Sequence, residues 1–240
     1  MVFEWISKRR RQSAVPELKP RSQSVPRSER VDLADMSPDP VSYLGQVAYF
    51  ELAVFESLTR AISSAPDLTA KEGLTAAAGQ VLAKHHGVVA ELRSLGEDPA
   101  AAMQPFAPAI DQFEKLSHGR DWYEMLLGIY LTAGFLDDFF IRLLAGLPTA
   151  MGKRLEVLLE PDQSAEVIVA ELRAGIEADE KLASRLALWG RRLVGDTQLV
   201  ARSALQGSGN RADDEERIEP VFTDLIAAHT RRMDGLGLTA

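Results

Sequence analysis

Carboxylates and a few imidazoles are the residues of this 240-residue chain that could do chemistry from inside a set of packed helices. Between Ser37 and about Ser64, apolar residues recur at helical spacing as Leu44, Val47, Ala48, Phe55, Leu58 and Ile62, and Glu51 occupies a position on that stripe. A carboxylate facing a core needs a metal, a cation or a proton beside it. A second stripe, Leu74, Ala77, Ala78, Val81, Val88 and Leu92, carries His85, with Lys84 at its border. Asp137 follows Ala133 by four residues on a third segment, with Asp138 beside it, while Glu160, Asp162 and Gln163 gather around Pro161. Acids converging from several helices are the material of a carboxylate-bridged di-iron site. Such a site takes one Glu from each of two helices and a Glu-x-x-His pair from each of the other two. The three-residue offset puts both ligands on one helix face, and carboxylate with imidazole suits Fe(II) or Mn(II).

The sequence contradicts a complete site of this kind. The residues three before His85, His86, His118 and His229 are Leu82, Ala83, Lys115 and Ile226, so the chain contains no Glu-x-x-His. It contains no Cys either, which excludes disulfides, thiolate zinc sites, iron–sulfur clusters and cysteine nucleophiles. With no strand pattern, a Gly-rich phosphate loop or nucleophile elbow lacks its context. Each polar residue also has a plainer reading. His85 can be a hydrogen-bonded core histidine, Asp137 and Asp138 a solvated helix edge, and His229 a packing residue. Tyr49, Tyr123 and Tyr130 read as core aromatics rather than redox groups.

Helices must position these groups, and the pattern supplies them. Ser37-Pro38 offers an N-cap and a proline at the first helical position. Helices are expected from there to about Ser64 and from Asp67 to about Leu95. A connection of about 25 residues follows, longer than bundle neighbours need, so it is expected to span the bundle. The third helix runs from Asp121 to Leu147, and Pro148 starts another that Pro161 interrupts. Stretches 162–177 and 180–205 follow, and a last helix is expected from near Pro220 to about Met233. The fold class is all-α, with the bundle domain spanning 37–235 and a short tail at 236–240.

Charge is uneven along the chain. Residues 1–30 hold eight basic and three acidic side chains, a net +5, whereas the rest hold 19 basic and 32 acidic, a net −13. Such a body repels phosphate backbones. Residues 1–36, rich in Pro, Ser and Arg, read as a disordered basic arm, and Lys8, Arg9, Arg10 and Arg11 are its candidate contacts for nucleic acid or an anionic membrane. No run approaches the ~18 apolar residues of a membrane span, and no secretory segment opens the chain, so a cytoplasmic protein is expected.

The run Ala48-Tyr49-Phe50-Glu51-Leu52-Ala53-Val54-Phe55-Glu56-Ser57-Leu58 resembles the first bundle helix of ferritin-like proteins of the tRNA-hydroxylase-like family. Arg185 to Gly195 (RLALWGRRLVG) and His229-Thr230-Arg231-Arg232-Met233 are similar as well, and the likeness covers roughly 38–235 by helix order. The resemblance implies a ferritin-like four-helix bundle with additional C-terminal helices. It also implies a di-iron centre that uses O₂ to hydroxylate a prenylated adenosine in tRNA. On that resemblance Glu51 matches the first-helix carboxylate, and the second-helix Glu-x-x-His falls on Val81 and Lys84. The third-helix carboxylate falls near Ala133, with Asp137 or Asp138 as substitute, and the fourth-helix Glu-x-x-His falls on Glu160 and Gln163.

Two functions follow as expectations. In the first, the chain is a metal-poor binding or scaffold protein without a cofactor, and Lys84 neutralises Glu51 as an ion pair in a degenerate site. Its partner, a protein or RNA, is then reached through the arm, and the bundle is able to form a homodimer. In the second, Glu51, His85, Asp137, Glu160 and Gln163 form an unusual ligand set for an iron-dependent hydroxylase.

Overall fold

The computed structural model describes residues 33, 36–160, 163–205 and 211–239. Lys8, Arg9, Arg10 and Arg11, with nearly all of the expected arm, lie outside the described residues, as do Pro161 and Asp162. Among the described residues there are nine α-helices and no strand. They are α1 (Pro40–Ser63), α2 (Leu68–Ser94), α3 (Pro99–Met103), α4 (Ala107–Ser117), α5 (Trp122–Leu143), α6 (Thr149–Leu158), α7 (Ser164–Ala178), α8 (Glu180–Ser203) and α9 (Arg211–Gly235).

Aspartates start four of the long helices. Asp39, Asp67, Asp121 and Asp179 each accept a hydrogen bond from a backbone N–H of the first turn, which satisfies donors that the helix leaves without partners. The sequence offers Ser37-Pro38 and then Asp39-Pro40, and the second pair is the one used. The Asp39 carboxylate reaches the amides of both Val41 and Ser42 at 3.1 Å, and charge strengthens those bonds over a serine hydroxyl's.

Helices α1 and α2 form an antiparallel hairpin, and α5 and α7 complete the four-helix bundle around a shared core. The long connection is not irregular: α3 and α4 strap it along α1. Tyr49 donates to Asp111 at 2.6 Å, Arg60 pairs with Glu114 at 2.9 Å, and Ser57 also donates to Glu114. Helices α8 and α9 pack outside α5, as the additional C-terminal helices of the expected fold. Arg185 and Trp189 of α8 bind the start of α5: Arg185 pairs with Asp121 and the Trp189 indole donates to the Glu124 carbonyl at 3.0 Å.

Three boundaries differ from expectation. Helix α9 begins at Arg211 and carries Pro220 in its interior. Proline there removes one backbone bond at a cost of about 3 kcal/mol. The buried stripe Ile218, Val221, Phe222 and Leu225 continues through it and holds the helix against the core. Leu33 and Met36, inside the stretch read as arm, are fully buried, and so are Leu236 and Leu238 of the expected tail. These apolar residues join the core at both ends of the bundle.

Candidate functional site

A cavity of about 130 Å³ lies among α1, α2, α5 and α7, and α9 contributes one residue to its wall. Helix α1 supplies Glu51, which is 3% exposed, and α2 supplies Lys84, which is 9% exposed. Helix α5 supplies Asp137 and Asp138 from its fifth turn, and α9 supplies Arg232. Phe50, Val54, Leu58, Val81, Ile129 and Ile168 make much of the remaining wall apolar. Three acids and two bases therefore face a small, largely apolar space.

The charged groups fall into a deep and a shallow set. Asp138 accepts from Arg232 Nη2 at 2.9 Å, and the two side chains are 35% and 21% exposed, so this pair stands at the mouth. Glu51 and Lys84 are deeper. The Tyr43 phenol, which donates to the Phe140 carbonyl at 3.0 Å, is held protonated first by burial and then by the nearby Asp137 and Glu51 charges. Two carboxylates from α1 and α5 thus act on one buried phenol.

Of the five residues expected to bind metal, Glu51 and Asp137 line the cavity, whereas His85, Glu160 and Gln163 do not. His85 is buried, and its Nδ1 lies 2.8 Å from the Ala48 carbonyl oxygen. A carbonyl only accepts, so Nδ1 carries the proton and the ring braces α2 to α1. Glu160 and Gln163 are both exposed and precede α7, which starts at Ser164. The three-residue pair that α7 does turn toward the cavity is Ala165 and Ile168, matching Val81 and Lys84 on α2. Glu160 and Gln163 therefore lie outside the cavity, which α7 lines with Ala165 and Ile168.

Arg232 and Gly134 were not expected at the site. A Cβ on Gly134 would overlap the Nε and Cζ of Arg232, so the guanidinium crosses α5 where there is no side chain. Arg232 Nη1 is buried and has no hydrogen-bond partner. The adjacent run from His229 to Met233 contains a hint, since the buried stripe Phe222, Leu225, His229 and Met233 puts position 232 at the border of the packed face. Which helix it meets is a tertiary matter. His229 itself, on α9, is buried against α8, its Nε2 3.1 Å from the Gly190 carbonyl. Burial lowers its pKa, opposed by the Gly190 bond and reinforced by the Arg232 charge.

Among the described residues, no group of three or more His, Asp or Glu side chains is arranged to hold a metal ion, and no helix is long and apolar enough to cross a membrane. A model of a ferritin-like domain from actinomycetes matches residues 38–207, which takes in α1 to α8 and leaves out α9. No curated protein matches the chain.

Proposed function

The chain belongs to the actinomycete ferritin-like domain family, and on that premise we propose that it is a metal-poor binding protein whose bundle cavity takes a small molecule. A di-iron centre does not fit this lining. The two positions per helix that could present a Glu-x-x-His pair hold Val81 and Lys84 on α2 and Ala165 and Ile168 on α7. That leaves Glu51 and Asp137 as deep carboxylates with no imidazole in the wall, and an ammonium from Lys84 beside them. Loss of ligands on this scale removes metal affinity steeply. The hydroxylase reading, with a modified tRNA adenosine as substrate, draws on these two acids alone and is the weaker of the two.

The observation that carries the proposal is this substitution of apolar and cationic residues at the inward three-residue pairs. In it, Lys84 and Arg232 provide inside the bundle the positive charge that buried carboxylates require. Lys84→Met removes half of that charge, and we expect a loss of about 3–5 kcal/mol, the cost of leaving a buried carboxylate without its cation. Metal analysis of protein from iron-rich medium tests the reading directly. Iron well below stoichiometric amounts is expected. About two irons per chain, lost in Glu51→Ala, would overturn it in favour of the di-iron enzyme.

A further inference from the structure

We propose that the cavity binds a small apolar α-amino acid of about valine's size as the zwitterion, its carboxylate on Arg232 and its ammonium toward Glu51 and Asp137. This deepens the reading of the cavity as a metal-poor binding site and rests on it.

Two observations select this class. Arg232 lines the cavity, spends Nη2 on Asp138, and keeps Nη1 buried without an acceptor. A guanidinium offers parallel donors that match a carboxylate, so a ligand carboxylate would recover a bond the folded protein lacks. The lining also carries three carboxylates against two cations among the described residues. A plain organic anion would enter a field set against it, and a plain amine would leave Nη1 without an oxygen. A zwitterion answers both, with opposite charges held a few bonds apart.

Size and access agree. A cavity of about 150 Å³ takes a benzene-sized molecule, so about 130 Å³ admits a branched aliphatic chain and excludes a nucleoside. Val54, Leu58, Val81 and Ile168 supply an apolar wall for that chain. The partly exposed Asp138–Arg232 pair stands at the mouth, where a ligand carboxylate can reach the guanidinium as the pair shifts. Gly134 permits such a shift, because the guanidinium rests over a position with no Cβ. Arg232 belongs to α9, beyond the span matched by the family model.

Calorimetric titration of the full-length, iron-free protein tests the proposal with L-valine, 3-methylbutanoate, which lacks the ammonium, and 2-methylpropan-1-amine, which lacks the carboxylate. Valine is expected to bind at least about tenfold more tightly than either, the worth of one charge-assisted contact. Arg232→Met should bring valine down to the amine's affinity. Ala133→Leu fills the cavity without touching a charge and should abolish binding while the helical circular dichroism is kept. Equal binding of a single-headed analogue, or valine binding that survives Arg232→Met, overturns the proposal. So does an absence of valine binding to wild-type protein, and where metal analysis of the protein as isolated finds little iron the broader reading stands. Stoichiometric iron overturns the broader reading first. Should either variant fail to fold, the three ligands on wild-type protein decide alone.

Discussion

The guanidinium of Arg232 on α9 lies across Gly134 on α5 so closely that any β-carbon at position 134 would overlap it. The same guanidinium holds Asp138, one turn further along α5, at 2.9 Å. Glycine inside a helix ordinarily costs about 0.5–1 kcal/mol relative to alanine, and here it makes room for the contact between α9 and the cavity mouth.

Gly134→Ala should therefore leave overall stability within about 1 kcal/mol of wild type. The helix gains from alanine, and the partly exposed Asp138–Arg232 pair that must move is worth no more than that. What should vanish is the coupling between the two charges. A double-mutant cycle of Asp138→Asn and Arg232→Met in urea should give a measurable interaction in wild type and none in the Gly134→Ala background. A loss well above 2 kcal/mol would mean that the arginine cannot yield.

Gly45 is a harder case. A Cβ there would overlap the backbone carbonyl of Ala102 in α3, and that backbone is fixed by the helix bonds at Ala102 and Gln104. Gly45→Ala should destabilise by about 1–3 kcal/mol, as overpacking does. Gly79, on α2, meets nothing within 4 Å, so Gly79→Ala should instead stabilise by about 0.5–1 kcal/mol. Urea midpoints of the pair test whether α3 is as tightly seated on α1 as the geometry requires.

His229 makes stability depend on pH. Burial holds its folded pKa below the ordinary 6.5, helped by the Arg232 charge and opposed by the Gly190 carbonyl. Between the folded value and 6.5 the unfolded chain binds the proton more readily, so stability is intact above 6.5 and lost as pH falls through that window. His229→Gln can still donate to Gly190 but does not titrate. Wild type should lose stability relative to His229→Gln on going from about pH 7 to about pH 5, read as the difference in urea midpoints.

Restoring ligands should restore metal only where the cavity is. The combined variant Val81→Glu, Lys84→His, Ala165→Glu and Ile168→His presents two Glu-x-x-His pairs to the deep carboxylates. It is expected to take up about two Co(II) ions per chain, seen by their visible absorption. Gln163→His, which creates the same motif with Glu160, should bind none, because both residues are exposed and precede α7. Uptake by Gln163→His would restore the register that the sequence suggested.

Much of the bundle was legible because helices advertise themselves locally. The stripes of α1 and α2, with Glu51 among apolar residues and Lys84 at a border, need only the 3.6-residue period to be read. The α9 start was misread because Pro220 signals a first turn, and only burial of Ile218, Val221 and Phe222 against the core outweighs that signal. The placement of Glu160 and Gln163 outside the cavity has a related reason. Glu160 and Gln163 have the right spacing, but spacing within a chain does not say where a helix restarts after a proline.

The all-α class, the lack of any Glu-x-x-His pair or thiolate, and the inward position of Glu51 are all readable from the residues in order. These are properties of residue type and local period, fixed before any helix meets another. That His85 spends its Nδ1 on the Ala48 carbonyl instead of facing the cavity follows from how α1 and α2 pack together. The same holds for Ala165 and Ile168, which line the cavity from α7. Arg232, nearly a hundred residues from Asp138, closes the wall through the gap at Gly134. The rotation of each helix about its axis and the crossing of α9 over α5 depend on packing between distant segments, and no local pattern carries that information.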